Sequence, residues 1–382
     1  MRRAMMVLAC AAALAGCRDG VAPYEVPERA IDENEPVRQV TFGSGQDRDP
    51  AWMPAGDVIL YHTDDYSALR TARGALLRIG AAGGVALPIL GELQNAGGRL
   101  LATPVVSPDG SRVAYIDLVG VHPLIGCLQG TSEITARCPL TQPLLDSAAL
   151  RVRGLEATNA PSSDPSVGIR FAGPDPALLT SDATSFEMHA LPFQQAYRDH
   201  AAVLARPSWA PDNQRIVFSD GLNLRIWRVG DAASSVVPGT TDGVSAAWSP
   251  DGARIAYTRM ERVDSIAYSC FCSRGPNVSE SHRRVEYVTR PTIVTVRPDG
   301  SDPVVLGDGD EPAWSPDGQF IYARRGENIV RITVAGGAAV PVPQAGFGRA
   351  PAVSPDGRWL AFSRRKPQPR VDWDIWVVSL SQ

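Results

Sequence analysis

The chain has 382 residues and a formal net charge of −4, from 37 basic and 41 acidic side chains. Phosphate backbones demand a basic stripe, so this balance excludes nucleic acid as the expected partner. Lys366 is the single lysine, a bias toward arginine to which we attach no functional meaning.

Met1-Arg2-Arg3 is a short basic start, and Ala4 to Ala15 is an apolar stretch of signal-peptide length, too short to span a bilayer as a mature helix. It ends in Leu14-Ala15-Gly16-Cys17, which resembles the lipobox of bacterial lipoproteins. That resemblance implies a signal peptide over residues 1–16 and a diacylglyceryl group on the Cys17 thiol, hence membrane attachment through Cys17. An ordinary secretory signal containing a cysteine is the alternative. Arg18, where Asp would stand for inner-membrane retention, points to the outer membrane of a Gram-negative host. The pair Arg2-Arg3 lacks the rest of a twin-arginine signal. Cleavage removes two arginines and no acid, so the charge of −4 becomes −6. Residues 17–35 are acidic and contain prolines, and read as an extended tether.

Val37-Arg38-Gln39-Val40-Thr41-Phe42 has the look of an outer strand without its own repeat, and from there on the chain is repetitive. Pro50-Ala51-Trp52-Met53-Pro54-Ala55-Gly56 returns as Pro104-Val105-Val106-Ser107-Pro108-Asp109-Gly110 and as Pro207-Ser208-Trp209-Ala210-Pro211-Asp212-Asn213. It returns again as Ala246-Ala247-Trp248-Ser249-Pro250-Asp251-Gly252, Pro312-Ala313-Trp314-Ser315-Pro316-Asp317-Gly318 and Pro351-Ala352-Val353-Ser354-Pro355-Asp356-Gly357. Ser-Pro-Asp-Gly suits a type I turn, with Pro pre-setting φ at the second position and Gly at the fourth. An apolar run comes after most of the turns, as in Val113-Ala114-Tyr115-Ile116, so each phrase reads as strand, tight turn and strand. The turn prolines at 54, 108, 211, 250, 316 and 355 are separated by steps of 54, 103, 39, 66 and 39. The minimal step of 39 approaches the ~40–45 residues of a four-stranded propeller blade. Longer steps carry insertions, near 119–200 and 262–290. The step of 103 leaves room for a degraded seventh blade around Val167-Gly168-Ile169-Arg170-Phe171; six is the preferred count.

The phrase resembles the WD40-like Pro-Asp-Gly repeat of the TolB-type six-bladed propellers, over residues 36–382. The resemblance implies an all-β, six-bladed β-propeller. It implies little about chemistry, because the same repeat serves scaffolds, receptors and the non-catalytic halves of peptidases. The α/β domain that precedes the propeller in TolB has no counterpart in the few residues before the first strand. The chain ends on Asp374-Ile375-Trp376-Val377-Val378-Ser379-Leu380, a third strand lacking a fourth. Residues 37–42 are therefore expected to supply the outer strand of the last blade, which leaves fewer exposed edges.

Cys127, Cys138, Cys270 and Cys272 remain once Cys10 and Cys17 are set aside, and an oxidising compartment makes them disulfide candidates. Cys127 with Cys138 is the favoured local pairing, Cys270-Phe271-Cys272 is too tight for an unstrained bridge, and cross pairing between the insertions competes. No catalytic motif sits in its required context. Gly243-Val244-Ser245-Ala246-Ala247 opens a strand where a nucleophile elbow needs strand–turn–helix, and Ser363-Arg364-Arg365-Lys366 has no companion motif. The histidines His62, His122, His189, His200 and His282 show no metal spacing, and no metal or cofactor is expected.

The residue before each inner strand occupies the same mouth of the central channel in every blade: Asp49, Thr103, Arg206, Ser245, Glu311 and Ala350. With Arg48, Asp310 and Arg349 one place earlier, both charge signs surround one opening, suited to a peptide segment or a small polar ligand. The insertions are the other candidate surface. The expected function is a monomeric, non-catalytic, lipid-anchored scaffold binding an envelope protein or polymer, in the periplasm or at the cell surface. The alternatives are a propeller hydrolase or lyase with a site at the channel mouth, and a carbohydrate-binding module.

Overall fold

The computed structural model describes residues 37–42, 46–65, 73–90, 100–121, 145–157, 163–169, 205–273, 279–365 and 373–380. Cys17, Cys127 and Cys138, residues 1–36 and most of the 119–200 insertion lie outside them. The described chain is built of strands. After β1 (Val37–Gln39), the first unit is β2 (Gln46–Trp52), β3 (Val58–Asp65), β4 (Arg73–Gly80) and β5 (Gly83–Leu90). The second is β6 (Leu100–Val106), β7 (Arg112–Val121), β8 (Leu145–Gly154) and β9 (Ser166–Gly168). The third is β10 (Ser208–Trp209), β11 (Arg215–Ser219), β12 (Leu224–Arg228) and β13 (Ser235–Val236). The fourth is β14 (Gly243–Trp248), β15 (Ile255–Ser273), β16 (Ser279–Val296) and β17 (Val304–Asp308). The fifth is β18 (Asp310–Trp314), β19 (Phe320–Arg325), β20 (Asn328–Thr333) and β21 (Val340–Gly346), and the last begins with β22 (Gly348–Val353), β23 (Trp359–Arg365) and β24 (Trp373–Ser379).

Within every unit, consecutive strands pair antiparallel. The sixth unit takes its fourth strand from the start of the chain: β1 runs antiparallel to β24, with Val37, Arg38 and Gln39 opposite Val378, Val377 and Trp376. Val40 continues the pairing through its N–H to the Ile375 carbonyl at 2.8 Å, and the Ile375 N–H donates to Thr41 Oγ1 at 2.9 Å. A single parallel bridge, Gln46 to Trp373, joins the sixth unit to the first. Among the described residues the strands make an all-β propeller of six four-stranded units, and the N-terminal strand completes the last of them. The segment weighed as a seventh blade instead contributes β9, the outer strand of the second, with Val167 opposite Leu150.

The apolar side chains explain why the units need one another. Among the described residues they form six clusters, one at each seam between neighbouring blades. Trp209, Phe218 and Trp227 of the third blade pack with Leu100, Ile116 and Leu150 of the second. At the closing seam Trp52, Ile59, Tyr61 and Ile79 of the first blade meet Ala361, Ile375 and Val377 of the last, with Val40 among them. The remaining four seams are filled in the same way, by both neighbours. Each fully buried large side chain contributes roughly 1.5–3 kcal/mol. An isolated blade would lose that cover on both faces, as in other stacked architectures.

The turn phrase works as its residues dictate. In the second blade Gly110 N–H donates to Ser107 O at 2.8 Å, Ser107 Oγ donates to Asp109 Oδ1 at 2.6 Å, and Ser111 N–H donates to the same carboxylate at 2.9 Å. Gly110 sits at φ +72°, and Asn213, the one non-glycine among the six equivalents, at φ +59°. The turns also touch in a ring. A side chain on Gly110 would meet Pro54 at 3.4 Å, one on Gly357 would meet Pro316 at 3.8 Å, and one on Gly56 would meet Pro355 at 3.8 Å, across the closure.

These turns make an acid-stability prediction. The Ser107 hydroxyl beside it, with the Ser111 N–H and hydroxyl, holds the Asp109 carboxyl down at about 2, and the Ser249 and Ser315 hydroxyls lower Asp251 and Asp317 in the same sense. A carboxyl depressed by folding stabilises above its unfolded value near 4 and loses that contribution as pH falls through the folded value. Thermal midpoints measured from pH 5 to pH 2.5 should therefore fall less in the triple variant Asp109→Asn, Asp251→Asn, Asp317→Asn than in the parent. Parallel slopes would contradict this.

Residues 262–273 and 279–290, expected as part of an inserted loop, continue the β15–β16 pairing instead. Pairing runs from Ile255 opposite Val296 to Ser273 opposite Ser279, with one irregularity between Arg262 and Asp264. Cys270 and Cys272 fall in this hairpin, in register with His282 and Glu280. The segment carries Val263, Ile266, Tyr268, Val285, Tyr287 and Thr289, the β-branched and aromatic types that favour a pleated strand.

Candidate functional site

Each innermost strand begins at the end opposite the Pro-Asp-Gly turns, and there the repeat does something unusual. The pairing with the second strand slips between Arg48 and Ala51, Ala102 and Val105, Val244 and Ala247, Asp310 and Ala313, and Arg349 and Ala352. In each slip lies a residue in the left-handed region: Asp49 (φ 51°), Thr103 (φ 48°), Ser245 (φ 50°), Glu311 (φ 53°) and Ala350 (φ 52°). Proline follows four of them, and a proline within a sheet belongs at a bulge because it cannot donate to the ladder. A non-glycine residue held in this region costs of order 1–3 kcal/mol and persists only where its surroundings fix it. Arg206, the counterpart in the third blade, is not among the left-handed residues.

The surroundings are supplied by the preceding blade. Ser363 Oγ accepts from Asp49 N–H at 3.0 Å, and Thr258 Oγ1 accepts from Glu311 N–H at 3.1 Å. Both hydroxyls belong to the residue after the aromatic of a second strand, Phe362 or Tyr257. The fifth blade has Ala323 at that place, with no hydroxyl to offer, and the Glu311 carboxylate accepts from Ala350 N–H at 2.5 Å instead.

The expected mouth residues therefore divide into two layers. Asp49, Thr103, Ser245, Glu311 and Ala350 are buried, although their place in the repeat suggests a ring around an opening; the bulge turns them into the wall. Arg48, Arg206, Asp310 and Arg349 are half-buried and form the outer layer. Asp49 Oδ2 lies 3.1 Å from His62 Nδ1. Burial opposes ionisation of Asp49, but the contact with His62 and the nearby Arg206 and Arg48 keep its carboxyl below the usual range. Arg324 Nε donates to Asp310 at 2.8 Å and lies 3.8 Å from Glu311. Burial, and then the neighbouring Glu311 charge, push Asp310 up to about 6 against the pull of Arg324 and Arg349. Arg206 Nη2 approaches the Pro351 carbonyl at 3.4 Å, reaching from the third blade to the sixth. Contacts thus bring together Arg48, Asp49, Arg206, Asp310, Glu311 and Arg349, while Thr103 and Ser245 share their level in the second and fourth blades.

Sequence reasoning missed His62, Arg324 and Trp373. His62 falls in the same repeat column as Thr258 and Ser363, one place after the aromatic, so aligning that column would have found it. Trp373, at the start of β24, has no counterpart in the repeated phrase. The guanidinium carbons of Arg48 and Arg349 stand 5.2 and 5.8 Å from its ring centre. Two arginines from the first and last blades thereby share one indole. Among the described residues no three His, Cys, Asp or Glu side chains gather as metal ligands would.

No protein-family profile and no curated protein matches the chain. Among solved structures it is similar to TolB from Acinetobacter baumannii, at 13% identity and TM-score 0.46, over 88% of this chain and 64% of that one. A TolB-type protein from Agrobacterium tumefaciens is similar at 13% identity and TM-score 0.45, over 91% and 97% of the two chains. An oligogalacturonate lyase from Vibrio parahaemolyticus is similar at 9% identity and TM-score 0.44, over 91% and 94%. Likenesses this distant add no weight to the fold assignment, which rests on the strand pairing and the seams.

Proposed function

We propose that this protein is a non-catalytic, lipid-anchored scaffold of the bacterial cell envelope, which binds a protein or polymer partner at the end of the propeller opposite the Pro-Asp-Gly turns. The observation that carries the reading is the pair Arg48 and Arg349, held over Trp373 from two blades. Arginine and tryptophan at a preformed surface are what protein recognition favours, because stacking fixes the guanidinium before binding. Phe42 and Phe347, 42% and 63% exposed, lie in the connections leading into β2 and β22, and so belong to the same end. A catalytic role is poorly served: the acid–base pair Asp49–His62 is buried, at 6% and 2% exposure, and Glu311 is engaged by backbone. The anchor rests on Leu14-Ala15-Gly16-Cys17, and Arg18 favours the outer membrane.

The test is capture of envelope proteins and polymers from detergent extracts by the lipidated chain, repeated with Arg48→Glu plus Arg349→Glu. Charge reversal at both arginines should weaken retention of the captured partner at least about tenfold, the scale of interfacial charge contacts. Equal capture by the double variant would remove the proposed surface. Labelling with radioactive palmitate should be lost in Cys17→Ala; persistent labelling would remove the anchor.

A further inference from the structure

We propose that two copies of this chain associate through the outer edge of β16, which pairs antiparallel with itself about a twofold axis at Val285. The dimer replaces the monomer expected from the sequence and does not depend on the partner capture above. β15 and β16 are 19 and 18 residues long, whereas the strands beside them, β14 and β17, have 6 and 5. The last residues that β14 and β17 pair along them are Arg259 and Thr292. Beyond those points β15 and β16 pair only with each other among the described residues. A two-stranded ribbon is marginal in water, and an open edge is a template for a further strand.

The two edges of the ribbon differ. β15 carries a bulge between Arg262 and Asp264, one of the devices that spoil an edge for pairing. β16 runs from Ser279 to Arg290 in register with β15. The next residue, Pro291, has no N–H to offer, and its carbonyl already accepts from Gly309 N–H at 3.0 Å. The edge available to a partner is therefore Ser279 to Arg290.

Charge chooses both the occupant and the register. When identical strands pair antiparallel, residue i faces residue j and j faces i, so each pair is made twice. With Val285 opposite its copy, Arg284 faces Glu286, Glu280 faces Arg290 and Arg283 faces Tyr287. Opposite charges across a strand pair attract, arginine is drawn to an aromatic face, and no like charges meet in this register. Neighbouring registers are poorer. An axis at Arg284 or at Glu286 sets that residue against itself, and an axis between Val285 and Glu286 makes no ion pair. An axis between Arg284 and Val285 pairs Arg283 with Glu286 but leaves Glu280 facing Thr289. Arg290 already meets Glu261 of its own chain at 2.7 Å and stays exposed, so Glu280 of the second copy would join that pair. A strand that accepts an unrelated segment needs no such self-complementarity.

The experiment traps the axis in the full mature chain in detergent. Val285→Cys places a thiol opposite its own copy, whereas Val288→Cys places one opposite His282 and away from its copy. After mild oxidation, non-reducing electrophoresis should show at least about tenfold more covalent dimer from Val285→Cys than from Val288→Cys, because only the first pair meets the reach of a disulfide. The parent chain sets the background from its own cysteines. Sedimentation equilibrium of the reduced chain should show a monomer–dimer equilibrium. Arg284→Glu or Glu286→Arg alone should weaken it at least about tenfold, the scale of interfacial charge contacts. The two together should restore it, because they exchange the members of each pair, and that recovery separates a lost interface from a misfolded ribbon. Four results overturn the dimer: a monomer at every concentration, equal trapping at positions 285 and 288, indifference to both single reversals, or a double reversal that stays monomeric. None of them touches partner capture through Arg48 and Arg349.

Discussion

Replacing Val40 by Asp should lower the thermal midpoint by about 5 °C or more. Val40 is fully buried in the seam between the last and first blades, and its N–H is bonded to Ile375. The substitution removes roughly 1.5–3 kcal/mol of apolar burial and places an unpaired carboxylate against Trp52 and Ile375. For a chain of this size, at about 2.1 cal/mol/K of unfolding entropy per residue, each kcal/mol moves the midpoint by about 1–2 °C. Phe42, two residues later and 42% exposed, supplies the control: Phe42→Asp should stay within about 0.5 kcal/mol. Similar losses at the two positions, followed by differential scanning calorimetry, would mean that the first strand is not part of the last blade.

Trp52→Ala is expected to cost about 3–5 kcal/mol, while Trp52→Phe should cost about 1. The indole fills the closing seam and donates from Nε1 to the Ala352 carbonyl of the last blade at 2.9 Å. The same bond recurs from Trp209 to Val105 at 3.2 Å and from Trp314 to Ala247 at 3.0 Å, each time from one blade back to the one before. Arginine covers part of this column too: Arg112 stands 4.9 Å from the Trp209 ring and Arg215 stands 5.0 Å from Trp248, each reaching to the next blade. The tryptophan of the repeat therefore fixes the angle between blades as well as filling space. Chemical denaturation of the two variants separates these contributions. A loss below about 1 kcal/mol for Trp52→Ala would show that the seam is not where the stability resides.

Much of this architecture was legible in the residues. Ser-Pro-Asp-Gly dictates its own turn, and the stretch from Val37 to Phe42 has an outer strand's pattern with no repeat to belong to. The site was legible only in outline. Its position came from the repeat, but the burial of Asp49, Thr103, Ser245 and Glu311 did not, because that depends on a left-handed bulge. Nothing in Asp-Pro, Thr-Pro or Glu-Pro announces such a bulge, since the residue before proline is biased toward extended backbone. The bonds that hold it come from the preceding blade round the ring, a relation between Ser363 and Asp49 that spans nearly the whole chain. Trp373 escaped notice for another reason: it lies outside the phrase, and only the parallel bridge from Gln46 brings the first blade beside it. The pairing of Ile255–Ser273 with Ser279–Val296 was hidden because residues 262–290 exceed the repeat's period and so read as an insertion, in a segment whose β-branched residues already spelled strand.

Native-state hydrogen exchange tests the closure of the ring most directly, by comparing peptides over Val37–Gln39 with those over Trp373–Ser379. The account predicts that both are protected and open together, because each bonds to the other and Val40 seals the same seam. Exchange of the first strand within seconds, beside a last strand that stays protected, would contradict it.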